Sequence, residues 1–154
     1  MSKIKFTFVG FKELTEALKL RVGKVKQSQG ALRKVGEEEI REAQKRIKTS
    51  KMTPDGTPWT PWAQSTREAR IKDGDAGLGL LYRSGNLHNS FQLEINTKQV
   101  IVKNVAPYAA YLQEGTANMP ARPYFGWSDK SKQNIQTIFG DFLNKVVVKG
   151  EDYK

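Results

Sequence analysis

The 154 residues suit one domain spanning 1–150 with a frayed tail at 151–154, and no apolar run approaches the ~20 residues of a bilayer span, so no membrane segment is expected. There is no cysteine, which excludes disulfides, thiol catalysis, iron–sulfur clusters and Cys-based zinc sites. The formal charge of +10 is uneven: residues 1–50 carry 13 basic and 6 acidic side chains and residues 51–154 carry 13 and 10, so the excess in the first third attracts polyanions or an acidic protein surface.

The N-terminus alternates polar and apolar residues and lacks the continuous apolar segment of a signal peptide, which implies synthesis in the cytoplasm. Ile4, Phe6 and Phe8 alternate with Lys5, Thr7 and Val9, the period-2 pattern of a half-buried strand. After Gly10, Phe11, Leu14, Leu18, Val22 and Val25 recur at helical steps and predict a first helix. Ser28–Gly30 breaks the pattern. Leu32, Gly36, Ile40, Ala43 and Ile47 resume it as a longer helix ending before Pro54, with Glu37–Arg41 and Glu42–Arg46 as four-apart ion pairs.

Residues 51–80 hold Pro54, Pro58, Pro61 and several glycines, and read as an extended loop. Trp59 and Trp62 anchor its first half, since Trp buries large area; residues 73–79 have no such anchor and are expected to be mobile. A short helix is predicted within Leu81–Ser90 with Ser84 as N-cap, then a hairpin of Phe91–Ile95 and Val100–Lys103 turning at Asn96-Thr97-Lys98. Pro107 opens a helix that runs to Gln113 and stops at Gly115. Ser128 caps a last helix with Ile135, Ile138, Phe139, Phe142 and Val146 as its apolar stripe. The fold class is therefore α+β, a small antiparallel sheet packed with two N-terminal helices and a C-terminal helix around a long central loop.

The inventory of reactive groups is thin. His88 is the only histidine, so a zinc site would need three carboxylates, and Ser84, His88 and Ser90 lack a nucleophile elbow around them. Gly74, Gly77 and Gly79 are not followed by the Lys-Ser/Thr of a phosphate loop. Asp73 and Asp75 are spaced like the first two ligands of a calcium loop, but Leu78 and Ser84 occupy the places that need glycine and glutamate. No enzyme activity, metal or cofactor is expected. Lys19, Arg21, Lys24, Lys26, Arg33 and Lys34 cluster around the junction of the first two helices and are the candidates for a polyanion or acidic partner.

Four segments in order resemble the phage virion morphogenesis family of tail-completion proteins of Mu-like and related contractile-tailed phages. They are Pro54-Asp55-Gly56-Thr57-Pro58-Trp59, Leu81 to Ser90, Asn104 to Gly115, and Pro120-Ala121-Arg122-Pro123-Tyr124-Phe125-Gly126-Trp127. The family's histidine before the Gln-Gly turn is Leu112 here. The resemblance implies a structural protein of the virion's head–tail junction that closes into a homo-oligomeric, six-fold ring on the tail tube and joins head-tail connector proteins, with passing DNA in its lumen. A head-completion protein on the capsid side and a small basic DNA-binding protein are the alternatives. Trp59, Trp62, Arg122, Tyr124, Phe125 and Trp127 are the interface candidates, Arg, Tyr and Trp being the side chains that dominate protein contacts; Arg122 is expected to be free for an acidic partner, and the loop 51–80 to serve as an arm between subunits.

Overall fold

Three strands, β1 (Ile4–Thr7), β2 (Phe91–Ile95) and β3 (Val100–Asn104), form one antiparallel sheet in the order β1-β3-β2 in a computed structural model, which describes residues 4–7, 28–96 and 99–148. The hairpin register pairs Phe91 with Asn104, Leu93 with Val102 and Ile95 with Val100, and β1 adds Phe6 opposite Val102. β3 lies in the middle and is buried at Val100, Ile101 and Val102. Its neighbour β2 alternates half-buried with exposed residues, the pattern of a strand with one face in the core. The helix expected over Phe11–Val25, the end of the first strand, most of the hairpin turn and the C-terminal tail lie outside the described residues.

Helix α1 (Ser28–Lys45) places Ala31, Leu32, Val35, Gly36, Glu39 and Ala43 on one buried stripe. Ser28–Gly30, where the apolar pattern breaks, lies within the described helix, and the small cost of one glycine is outweighed by the burial of Ala31 and Leu32. The helix widens into a π turn over Arg46–Ser50 and stops at Lys51, whose N–H bonds the Arg46 carbonyl at 3.0 Å. Gly36 sets the depth at which α1 sits on the sheet, because a Cβ there would stand 2.3 Å from Leu93 and 2.8 Å from Val100.

The loop after α1 is not structureless. It contains helix α2 (Gln64–Lys72), which the prolines around it hide in sequence. Gln, Arg, Glu, Ala and Lys are all good helix formers, and Gly74 at φ 75 ends the helix: its N–H bonds the Ile71 carbonyl while the Asp75 N–H reaches the Arg70 carbonyl. Residues 73–79, expected to be mobile, are tied down by Arg83, which pairs with both Asp73 and Asp75.

Helix α3 (Asn86–Asn89) is the short helix expected within Leu81–Ser90, but its N-cap is Gly85 at φ 79 and not Ser84, whose Oγ accepts the Asn86 N–H at 3.3 Å; Leu87 is buried. Helix α4 (Ala109–Glu114) follows Pro107 and ends at Gly115. Helix α5 (Asp129–Leu143) begins where Ser128 Oγ accepts the Ser131 N–H, and it buries Ile135, Phe139 and Phe142. A second π turn, Asn144–Val148, continues it and buries Val146.

Two clusters make up the core. Ala31, Leu32, Val35 and Val100 meet Ile135, Phe139, Phe142 and Val146 between α1, the sheet and α5. Ala43, Ile47, Trp59, Leu81, Leu87, Val102, Ala106, Ala109, Tyr124 and Phe125 form the other, with Phe91 and Leu93 of β2 packed against it. The architecture is α+β. Across the α1–α5 seam Asn134 donates to Glu38 and Lys130 to Glu42. The four-apart pairs expected on α1 are replaced: Arg33 pairs with Glu37, Arg41 with Glu38, Glu42 with Lys130, and Arg46 turns inward.

Candidate functional site: a loop clasp and the arm beside it

The four motif segments, far apart in sequence, meet in space around Tyr124. Thr53, Asp55 and Thr57 close a tight turn: the Thr57 N–H bonds Asp55 Oδ1 at 3.1 Å and Thr53 Oγ1 at 2.9 Å. The Thr53 hydroxyl, then the Thr57 N–H, hold the Asp55 carboxyl below its usual range. That turn delivers Trp59 inward, where it is 4% exposed and its indole N–H donates to the Pro123 carbonyl at 3.0 Å. Arg122 answers from the other side, giving Nε to the Thr60 carbonyl at 2.9 Å and Nη2 to that of Pro61 at 3.0 Å.

Gln113 on α4 reads the same strip of backbone. Its Oε1 accepts the N–H groups of Tyr124 and Phe125, and its Nε2 donates to the Phe125 carbonyl at 2.7 Å. Arg46 Nη1 takes the Tyr124 and Gly126 carbonyls at 3.3 Å each. Asn104 bonds the Leu87 carbonyl and the Ala106 N–H, and Gln44 bonds the His88 carbonyl. Irregular backbone can be buried only if its polar groups find partners. Here side chains of the motifs, with Gln44 and Arg46 from outside them, supply those partners.

This geometry corrects the interface candidates. Trp59, Arg122, Tyr124 and Phe125 are between 1% and 8% exposed and belong to the interior of this chain. Arg122 is not free for an acidic partner, because two carbonyls of the Trp59 loop hold it, and burial pulls its pKa down. Burial likewise pushes the Tyr124 phenol well above its usual range, with Tyr108 adding to the effect, and the Tyr124 hydroxyl has no hydrogen-bond partner among the described residues. Trp62 is half-buried: its N–H bonds the Leu80 carbonyl and the Arg70 guanidinium lies 4.7 Å from its ring centre. Trp127 keeps 37% of its surface exposed. Of the basic candidates, Arg33 and Lys34 are exposed on α1, whereas Lys19, Arg21, Lys24 and Lys26 lie outside the described residues.

The small polar clusters noted in sequence are not assembled into reactive sites. Ser84 bonds the Asn86 N–H, Ser90 donates to the Asn86 carbonyl at 2.6 Å, and His88 Nδ1 sits 2.7 Å from Asn89 Oδ1 with its ring edge-on to Tyr82. Asp73 and Asp75 face Arg83, and among the described residues no group of three His, Cys, Asp or Glu is placed to hold a metal ion. No described helix is long and apolar enough to cross a membrane.

Sequence reading missed two features. One is two buried charged residues, Glu39 on α1 and Arg46 at the start of the π turn, which are 3% and 5% exposed, with Ser131 hydrogen-bonded to the Glu39 carboxylate. Burial raises the Glu39 pKa, and the Ser131 bond and the Arg46 charge only partly offset it; burial lowers that of Arg46. A carboxyl whose folded pKa is raised binds more protons folded than unfolded, so its contribution to stability is greatest at low pH and declines as pH rises from the ordinary carboxylate range through the raised value. Glu39→Gln is expected to flatten that decline. Urea unfolding across pH 4.5–8 should show the variant gaining on the parent as pH rises; an unchanged difference would remove the assignment.

The other missed feature is the helix inside the loop that was expected to form an arm. Helix α2 buries no residue, and beside Arg70 lies a cavity of about 300 Å³ lined by Leu80, Leu81, Leu87 and Leu112 together with Arg70, Arg83, Ser84, Asn86 and Tyr108. The run of helix formers from Gln64 stopped by Gly74 was the available signal.

The chain is a small α+β body with a loop clasp satisfied from within and an unburied helix, α2, beside it. The model of the phage virion morphogenesis family matches residues 9–144, and the chain belongs to that family. It is thus a phage structural or morphogenesis protein, associated with the virion. No curated protein and no solved structure matches the chain significantly.

Proposed function

We propose that this protein is a tail-completion protein that closes as a homo-oligomeric, six-fold ring on the end of the tail tube and presents a face to the head-tail connector. The observation that supports this most is where the fold leaves its large apolar side chains. Some motif residues, Trp59, Arg122, Tyr124 and Phe125, stabilise loops inside the chain, while Ile71 and Tyr111 stand 58% and 59% exposed and Met52, Leu78, Val105, Tyr108 and Trp127 each remain more than a third exposed. Single exposed apolar residues are ordinary, but an arm and an adjoining helix that both carry them mark surface meant for covering.

Heterologous contacts that close by rotation make rings, and rings suit a tube end. Native mass spectrometry and particle imaging of the purified protein, free and on tails, test the reading. Rings of six subunits at the head-proximal end of tails are expected. A twelve-fold ring on capsids would move the protein to the connector side. A chain that stays monomeric at high concentration and is missing from virions would end the proposal.

A further inference from the structure

The sheet has two edges, and its hydrogen bonding fixes which backbone groups stand on them. Along an antiparallel ladder, residues alternate between turning their N–H and C=O toward the partner strand and turning them away. The phase of the β2–β3 ladder is set just beyond each end, where the Val105 N–H bonds the Ser90 carbonyl at 2.9 Å and the Asn96 N–H bonds that of Gln99 at 3.1 Å. With Gln92 opposite Lys103 and Glu94 opposite Ile101, the even-numbered residues of β2 face β3. Phe91, Leu93 and Ile95 therefore aim their backbone N–H and C=O groups out of the sheet.

Across β3 the alternation continues. Ile101 and Lys103 bond β2, so β3 turns Val102 and Asn104 toward Phe6 and Ile4. Lys5 and Thr7 of β1 are left with their backbone groups on the opposite edge. Among the described residues, no hydrogen bond reaches the outward backbone of either strand. Sheets commonly blunt an open edge with a proline, a bulge or a charge. β2 pairs without a bulge through all five of its residues, contains no proline, and has one charge, Glu94, which Lys103 bonds across the ladder.

We infer that, within the ring proposed above and resting on that reading, the β2 edge of one copy takes the β1 edge of the next, so that the three-stranded sheets join into one continuous sheet. β1 and β2 both run antiparallel to β3 and hence parallel to each other. Rotation about a ring axis keeps strand direction, so β1 of the next copy arrives parallel to β2, and the joint repeats at every subunit until the ring closes. Closure leaves no edge. The occupant is a second copy because one sheet offers both halves of the joint, whereas a strand from a different protein would fill one edge and leave the other open.

Amide exchange of the full-length protein reads the joint directly, as monomer and as assembled rings, quenched and resolved by residue with fragmentation mass spectrometry. The inward amides of Gln92 and Glu94, already bonded to β3, are the internal reference. Relative to them, the Leu93 and Ile95 amides and those of Lys5 and Thr7 are expected to slow by roughly tenfold or more on assembly, the factor that one or two net hydrogen bonds supply. Rings in which Leu93 and Ile95 exchange as in the monomer, or in which they slow while Lys5 and Thr7 do not, overturn the sheet joint and leave the ring reading standing. A parent chain that never associates overturns both.

Discussion

Trp59→Ala is expected to lower unfolding free energy by about 3–5 kcal/mol, the range for removing a buried tryptophan, and the melting temperature by roughly 6–20 °C. The reason is that the ring does two jobs at once. It fills the second core cluster against Ile47, Leu87 and Tyr124, and its N–H satisfies the Pro123 carbonyl. Removing it leaves a cavity and an unpaired carbonyl, and frees the turn that brings the Thr60 and Pro61 carbonyls to Arg122. A total stability of ~5–15 kcal/mol leaves little room for such a loss. Trp59→Phe keeps most of the volume and should cost about 1–3 kcal/mol, chiefly through the orphaned carbonyl. Trp62→Ala, at a half-buried site, should cost less than Trp59→Ala. Urea unfolding of the three variants checks the order, and equal losses at Trp59 and Trp62 would contradict the assignment of the core.

Gly115→Ala should be comparably damaging for a different reason, at about 3–5 kcal/mol from backbone strain and overpacking together. Gly115 has φ 78 and ψ −179, a conformation open essentially to glycine alone. A Cβ there would stand 2.7 Å from the Ala121 nitrogen and 2.9 Å from the Met119 carbonyl oxygen, both backbone atoms that cannot swing aside. The closeness follows from the hairpin of Thr116 to Met119, which returns the chain along α4 so that the Arg122 N–H reaches the Leu112 carbonyl at 2.8 Å. Gly77→Ala is the control, since nothing lies within 4 Å of a Cβ there and its effect should stay within ~0.5 kcal/mol. If Gly115→Ala melts with the parent, the return of residues 116–122 along α4 is misdrawn.

Much of the element order was legible because it depends on near neighbours. The alternation of Phe91, Leu93 and Ile95, the steps from Leu32 to Ile47, and Ser128 ahead of the Ile135–Phe142 stripe each announce an element through local periodicity or a cap. Helix α2 escaped notice because three prolines precede it and its own residues show no apolar stripe, having no core to face. The short helix around Leu87 was legible, but its N-cap falls on Gly85, which takes the left-handed conformation at φ 79, and not on Ser84.

The roles of the motif residues were harder to read. Arg122, Tyr124 and Phe125 carry the composition of an interface hot spot, and the structure uses them to bury and pair backbone. A sequence lists donors and acceptors but not which carbonyls will be stranded, so it cannot assign an arginine to Thr60 and Pro61 from sixty residues away. The same holds for Glu39, whose place on an apolar stripe was visible but whose company of Arg46 and Ser131 was not.

By itself, then, the sequence determined the α+β class, the two strands of the hairpin, the Ser128 cap, and membership of the phage virion morphogenesis family through its four ordered motifs. Only the tertiary structure decided which polar side chains lie inside, that the four motifs form one clasp, and that an unburied helix flanks a cavity. The division has a physical cause. Helical and strand periods are set by bonds between residues a few places apart, whereas burial and hydrogen-bond partnership are settled by distances that exist only once the chain has closed on itself.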